Sequence, residues 1–222
     1  MNLSPLFLSI QLAALTTVIL LLIAIPISSW LYYSKSRWKP IVESIISLPL
    51  ILPPTVLGFY LLIAFSPNSW LGSTLAFFDI QLVFSFPGLV IASVIYSLPF
   101  MVQPISSGLQ NLPRNLMELS FSLGKSKFQT LLKVLLPNMK PSIYTGIILS
   151  FAHTIGEFGV VLMIGGNIPG ETKVASITIY DQVEALNYGA ANAYSLILFA
   201  ITFLILLTVY LSNGGYLKQF WK

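Results

Sequence analysis

Apolar residues in this chain are gathered into runs of about 20, the length a helix needs to cross a hydrocarbon layer, and that grouping excludes most other folds. Of the 222 residues 56% are hydrophobic and only 8% are charged, with a mean hydropathy of +0.86. Chains of this size have too little interior to hide so much apolar surface from water. The runs predict an all-α integral membrane domain over residues 1–222, with spans at Leu6–Tyr32, Ile45–Phe65, Leu82–Ile105, Ile143–Ile164 and Ala190–Leu211. Met1 to Trp30 lacks a basic leader and its apolar run is too long for a cleavable signal, so it is expected to remain as the first span. The stretch from Ser66 to Gln81, broken by Pro67, Asn68, Gly72 and Asp79, reads as a loop rather than a sixth span.

Charge then orients the spans. Lys35, Arg37 and Lys39 follow the first; Arg114, Lys125, Lys127, Lys133 and Lys140 lie between the third and fourth; Lys218 and Lys222 close the chain. Ten of the eleven basic residues thus fall on one side of the predicted layer, and the positive-inside rule makes that side cytoplasmic. The N-terminus is therefore expected outside and the C-terminus in the cytoplasm. Lys173 is left alone outside with Glu171, Asp181 and Glu184. The net charge of +4 reports topology and forms no basic face, which argues against nucleic acid as a partner. With no cysteine, neither a disulfide framework nor a thiolate metal site can form.

Two connections are long and patterned. The cytoplasmic stretch 106–141 places Leu116, Leu119, Leu123, Phe128, Leu131, Leu132 and Leu135 at helical spacing, with Gly124 at a break, and reads as a small amphipathic helical hairpin. Gly124, Lys125 and Ser126 imitate the end of a phosphate-binding loop, but that loop needs a glycine where Leu119 stands, so the chain is not expected to bind ATP. The outer stretch 165–189 starts with the turn-rich GGNIPGE.

Ionisable groups inside a span are costly and point to function. His153 and Glu157, four residues apart in HTIGE, are expected on one face of the fourth span. Without a second histidine or an HExxH arrangement no metal site is expected there. A bare carboxylate repels an anion, so Glu157 is read as a packing, gating or helix-bonding group. Ser9, Ala13 and Thr17, and Ala152 with Gly156, provide small faces for close helix approach. Pro26, Pro49, Pro53, Pro54, Pro99 and Pro104 predict kinks or breaks, and Pro53, Pro54, Thr55 and Gly58 make the second span a candidate pathway wall. An intramembrane enzyme would need a fuller catalytic set than His153 and Glu157, and a secondary transporter would show internal repeats and more spans.

Glu118, Gly124, Val134, Leu136 and Pro137 reproduce the spacing of a loop in which E-A-A is followed by three residues, G, nine residues and I-x-L-P. With Leu119 and Ser120 in place of the alanines and Val134 in place of isoleucine, this resembles the cytoplasmic loop of ABC importer permeases. LPLILPPTVLGFYLL from Leu48 and GEFGVVLMIGGNIPGETKVASITIY from Gly156 look like the molybdate and tungstate branch of that family. The resemblance implies a type I (MetI-like) importer permease in the plasma membrane of a prokaryote, the inner membrane in a Gram-negative cell. It implies a homodimer embedded in lipid, two ATP-binding subunits that carry ATP and Mg, an extracytoplasmic molybdate-binding protein, and no cofactor in this chain. It also assigns Glu118, Leu119, Ser120, Gly124, Lys125, Ser126 and Pro137 to coupling with the ATPase, and Pro169, Glu171, Lys173 and Asp181 to docking of the binding protein. A sulfate or thiosulfate permease is the alternative.

Overall fold

The computed structural model describes residues 2–213, and the regular structure over that range is all helical. Lys218 and Lys222 lie outside the described residues. Helix α1 (Ser4–Tyr33) starts on a proline at its first turn, where a missing N–H costs nothing, and runs 30 residues, about 45 Å at 1.5 Å per residue. It is long enough to cross a bilayer with its interfaces.

The second predicted span is not one rod. Helix α2 (Lys39–Ser47) tightens into a 3₁₀ turn (Leu48–Leu50), and the chain then turns by 110° into α3 (Pro54–Phe65). Pro53 removes a backbone donor and disfavours a helical conformation at Leu52, while Pro54, at the first helical position, restarts the helix. The Ser66–Gln81 loop holds a short helix, α4 (Trp70–Phe77), capped by the Ser69 hydroxyl.

Helix α5 (Phe86–Asn111) begins four residues later and ends six residues later than the Leu82–Ile105 reading, because Ser85 caps its start and Pro87 occupies its first turn. Pro99 and Pro104 stay inside α5, as Pro26 does inside α1, without ending either helix. A hairpin follows: α6 (Arg114–Ser122), α7 (Lys127–Thr130), a π turn (Leu131–Leu135) and α8 (Leu136–Asn138).

The fourth predicted span is also broken. Helix α9 (Lys140–Ile155) ends at Gly156, and α10 (Gly159–Gly165) leaves at 59° to it. No proline marks this bend. The Glu157 carbonyl, freed at the break, accepts a 2.6 Å hydrogen bond from the Ser176 hydroxyl. The outer stretch is likewise not a plain loop, since α11 (Ala175–Glu184) packs on α12 (Tyr188–Asn213) and α1. Among the described residues, α1, α5 and the apolar part of α12 are long enough to span alone, which makes three spans, or five if each of the two bent pairs crosses as one.

Helices α1, α5 and α9 pack on one another as the central bundle. Leu20, Ala24, Met101, Ile105 and Leu109 fill one end, which also holds the hairpin residues Leu131 and Leu135; Leu12, Leu89, Val160, Val161 and Ile164 fill the other. The Ser9–Ala13–Thr17 stripe is buried, with the Ser9 hydroxyl accepting from the Ala175 N–H at 2.8 Å. The Ala152/Gly156 pairing is not used this way: Gly156 is exposed, and an added Cβ would meet nothing closer than 3.8 Å. Close approach in α9 happens instead at Gly146 against Met101 of α5.

Helices α1 and α12 turn Phe7, Leu15, Val18, Leu22, Phe199, Phe203 and Leu204 outward. These largely apolar exposed faces, interrupted by Gln11 on α1 and by Asn192 and Thr208 on α12, suit lipid tails. The loop after α1 and the α6–α8 hairpin share one end of the bundle, where the Lys127 ammonium lies 5.7 Å from the centre of the Tyr33 ring. All described basic residues except Lys173 belong to these segments or to the helix starts beside them.

Candidate translocation path and coupling hairpin

At the α9–α10 break a cleft of about 380 Å³ opens against the start of α3, lined by Pro54, Thr55, Tyr96, His153, Gly156, Glu157, Phe158 and Gly159. Of the residues singled out for the pathway, the fold brings Pro54, Thr55, His153 and Glu157 together here. Pro53 caps α3 outside the lining, and Gly58 lies against α10 instead. A Cβ at Gly58 would sit 2.8 Å from Met163 Cβ, and one at Gly159 would sit 2.8 Å from Pro54 Cβ. These glycines let α3 and α10 lie almost backbone to backbone, tying the two broken pairs into one unit.

His153 and Glu157 are not hydrogen-bonded to each other, since the helix ends between them, but both line this cleft. The His153 ring lies in the last turn of α9, stacked on Phe100 with centroids 4.0 Å apart and tilted against Tyr96 at 4.7 Å. Its Nδ1 meets the Ser97 hydroxyl at 2.9 Å, and Ser97 meets Thr154 at 3.0 Å. Glu157 is 4% exposed, and neither carboxylate oxygen has a hydrogen-bond partner among the described residues. Ser93 of α5 faces it, and that hydroxyl too is unpartnered. Tyr96, Ser97 and Phe100 are not legible as site residues in the sequence, since α5 reads as a plain span and their common target lies 56 residues away from Ser97.

At the basic end the hairpin is built by local rules. Gly124 has φ +73°, the left-handed conformation of a helix C-terminal glycine. The Gly124 N–H donates to the Phe121 carbonyl at 2.9 Å and the Lys125 N–H to the Ser120 carbonyl at 3.1 Å, a Schellman closure of α6. Ser126 then opens α7 through a capping box with Gln129, both bonds at 3.2 Å. The predicted apolar face is divided: Leu131 and Leu135 are buried in the bundle, whereas Leu119, Leu123 and Phe128 are 59%, 76% and 69% exposed. Glu118, Ser126 and Pro137 are exposed as well. Ser120 is an internal tie, its buried hydroxyl 2.8 Å from the buried Thr130 hydroxyl. Ser120→Ala leaves Thr130 without its partner and should destabilise the hairpin by about 1–3 kcal/mol, whereas adding Thr130→Val should recover part of that loss. Amide hydrogen exchange over 114–138 checks both.

At the opposite end Lys173 and Asp181 form an ion pair, and Asn167 donates to both Asp181 oxygens at 3.1 and 3.2 Å. The buried Thr172 hydroxyl donates to the Gly165 carbonyl at 2.6 Å and accepts from the Ile168 N–H at 2.9 Å, closing the turn. Pro169 and Glu171 are exposed on it, while Lys173 and Asp181 are half-buried and paired with each other.

Residues 21–217 match the family described as binding-protein-dependent transport system inner membrane component. The chain is 44% identical over 215 residues to the molybdenum transport system permease protein ModB of Azotobacter vinelandii, covering 96% of this chain and 94% of that one. It is 32% identical to the putative molybdenum transport system permease protein YvgM of Bacillus subtilis, over 91% and 90% of the two chains. It is 36% identical to the sulfate transport system permease protein CysT of Synechocystis, over 77% of this chain and 60% of that one. Among solved structures, a bacterial ABC transporter that imports alginate superposes with TM-score 0.80 at 15% identity, covering 96% of this chain and 78% of that one. The MetNI methionine ABC transporter in an inward-facing form superposes at 0.75 and 16%, covering 95% and 94%. With the broken spans, the basic-end hairpin and this near end-to-end match, the chain belongs to the family of binding-protein-dependent transport system inner membrane components and is an ABC importer permease.

Proposed function

We propose that this chain is the permease of an ATP-driven molybdate importer, also open to tungstate, working as a homodimer with two ATP-binding subunits and an extracytoplasmic binding protein. The observation that carries the substrate is the 44% identity to a molybdenum permease over nearly the whole of both chains. The sulfate permease relative matches over a shorter part of its own length, which favours molybdate over sulfate and thiosulfate.

The basic end faces the cytoplasm of a prokaryotic cell by the positive-inside rule, putting the start of α1 outside and the C-terminus inside. The exposed Leu119, Leu123 and Phe128, flanked by Glu118 and Lys125, form the face that seats in a groove of the ATPase, which holds ATP and Mg. Ser120 and Gly124 shape that face rather than touch the partner. At the outer end Pro169 and Glu171 are the free contacts for the binding protein, and Lys173 and Asp181 stiffen the turn beneath them. Closure of the ATPase pair draws the two hairpins together, and the hairpin pulls on α5 and α9, between which it is threaded. Because α3 and α10 are locked glycine to backbone, they swing as one body and move the cleft at His153 between inward and outward access.

The test is uptake of molybdate into proteoliposomes holding this chain with its ATPase subunit and binding protein. Uptake is expected only with ATP and is expected to resist a large excess of sulfate. Sulfate uptake would move the substrate, and uptake without ATP would sink the importer reading.

A further inference from the structure

Helix α5 has 26 residues, about 39 Å, against a hydrocarbon layer of about 30 Å. Between Ala92 and Gln110 its exposed residues are Gln103, Ser107 and Gln110, all polar and all uncharged. They recur at i, i+4 and i+7, so they form one stripe along the helix. Gln103 lies eight residues inside the helix end, about 12 Å, which is hydrocarbon depth. A carboxamide facing lipid there loses its hydrogen bonds and costs several kcal/mol. The exposed faces of α1 and α12 suit lipid better: on α1 the exposed Gln11 stands singly among Phe7, Ile10 and Leu15, whereas on α5 the polar residues form an unbroken stripe.

The stripe borders a cleft of about 270 Å³ between α2 and α5, whose polar lining is Glu43, Ser47, Gln103, Ser106, Ser107 and Gln110. The chain itself hardly satisfies these groups. Among the described residues Gln103 reaches Ser47 only at 3.5 Å and Ser107 accepts from Asn111 only at 3.4 Å, while neither the Gln110 side chain nor the buried Ser106 hydroxyl has a partner. The one ionisable group of the lining, Glu43, is offset by Lys39 at 3.9 Å. Above the stripe on the same helix stand Tyr96 and Phe100, which hold the His153 ring at the other cleft.

We infer that the Gln103–Ser107–Gln110 face of α5 lines the cytoplasmic half of a water-filled oxyanion path, offering a ladder of neutral hydrogen-bond donors instead of fixed cations. This rests on the permease reading. Amide and hydroxyl donors replace part of the hydration of a tetrahedral dianion, and without a lysine or arginine on the stripe they let it go, which conduction requires. A second copy supplies the opposite wall.

The chain has no native cysteine, so single cysteines report without background. Gln103→Cys, Ser107→Cys and Gln110→Cys, with Leu22→Cys and Leu204→Cys as lipid-facing controls, are assembled with the ATPase subunit in proteoliposomes and treated with an anionic, membrane-impermeant methanethiosulfonate. The three stripe positions are expected to react and the controls to stay unlabelled; labelling should abolish uptake in the stripe variants only. In parallel, Gln103→Glu should lose uptake, and Gln103→Asn, which retains a carboxamide, should lose much less. Unreactive stripe cysteines would mean a dry dimer contact or a lipid face and would overturn the inference, as would full uptake after labelling. Uptake by the unmodified transporter is the separate arm: if the stripe cysteines label as expected but the unmodified transporter moves no oxyanion, the permease assignment falls and a hydrated face remains; if it transports while the stripe cysteines stay silent, only the inference falls.

Discussion

Replacing Gly124 by Val is expected to cut ATP-dependent uptake about tenfold while leaving the membrane bundle folded, because a side chain at φ +73° costs about 1–2 kcal/mol. Space is not the obstacle: a Cβ there meets nothing within 4 Å. The damage comes from the backbone, since a β-branched residue avoids the left-handed region and drags the Schellman bonds to Phe121 and Ser120 with it. Gly124→Asn, which tolerates that region, should retain most of the uptake. Measuring uptake beside ATP hydrolysis and thermal unfolding separates the causes. Equal loss in the Asn and Val variants would show that a bare surface, and not the turn, is what the partner needs. Normal uptake in the Val variant would remove the hairpin from coupling.

The largest effect on stability is expected at Gly88. A Cβ added there would stand 1.7 Å from the Leu82 carbonyl oxygen, and that neighbour is backbone, which cannot rotate away as a side chain can. The corner has no slack. Phe84 already holds φ +60°, its N–H bonds the Ile164 carbonyl at 2.8 Å, and the Ser85 hydroxyl caps α5 through the Gly88 N–H at 3.3 Å. Gly88→Ala is therefore expected to cost about 3 kcal/mol through strain and the lost cap geometry. It should lower the midpoint of thermal unfolding in detergent and the yield of monodisperse protein. Gly156→Ala is the control, since its Cβ would find only contacts of 3.8 Å and longer, and its stability should stay within about 0.5 kcal/mol of the parent. Comparable stability in the two variants would contradict the corner as described.

Features that rest on neighbours along the chain are legible in the sequence itself. The outer boundaries of α1 and α12 fall within two residues of the predicted spans, because an unbroken apolar run sets its own length against the hydrocarbon layer. The hairpin is readable for the same reason: Gly124, Ser126 and Gln129 act through bonds that span three to five residues. Pro53 and Pro54 announce a discontinuity, but a missing donor reveals where a helix stops and not the 110° at which the next one leaves.

Tertiary packing decided the rest. At Gly156 to Gly159 no residue forbids a helix, so hydropathy averages over the bend and the fourth span reads as straight; two glycines around Glu157 and Phe158 are the available signal. The break exists because α10 is drawn onto α3, where Gly159 admits Pro54, and because Ser176 takes the freed Glu157 carbonyl. That bend takes His153 and Glu157 off a common helix face while leaving both on the cleft, and Tyr96, Ser97 and Phe100 surround the histidine. The stripe on α5 follows the same logic. Its spacing is written in the sequence, but whether Gln103, Ser107 and Gln110 face a core, a lipid or a cleft depends on which side α1 and α9 cover. Local hydrogen bonding and apolar length thus determined the elements, and long-range packing energy determined their angles and the site, since only contacts between distant segments distinguish one side of a helix from another.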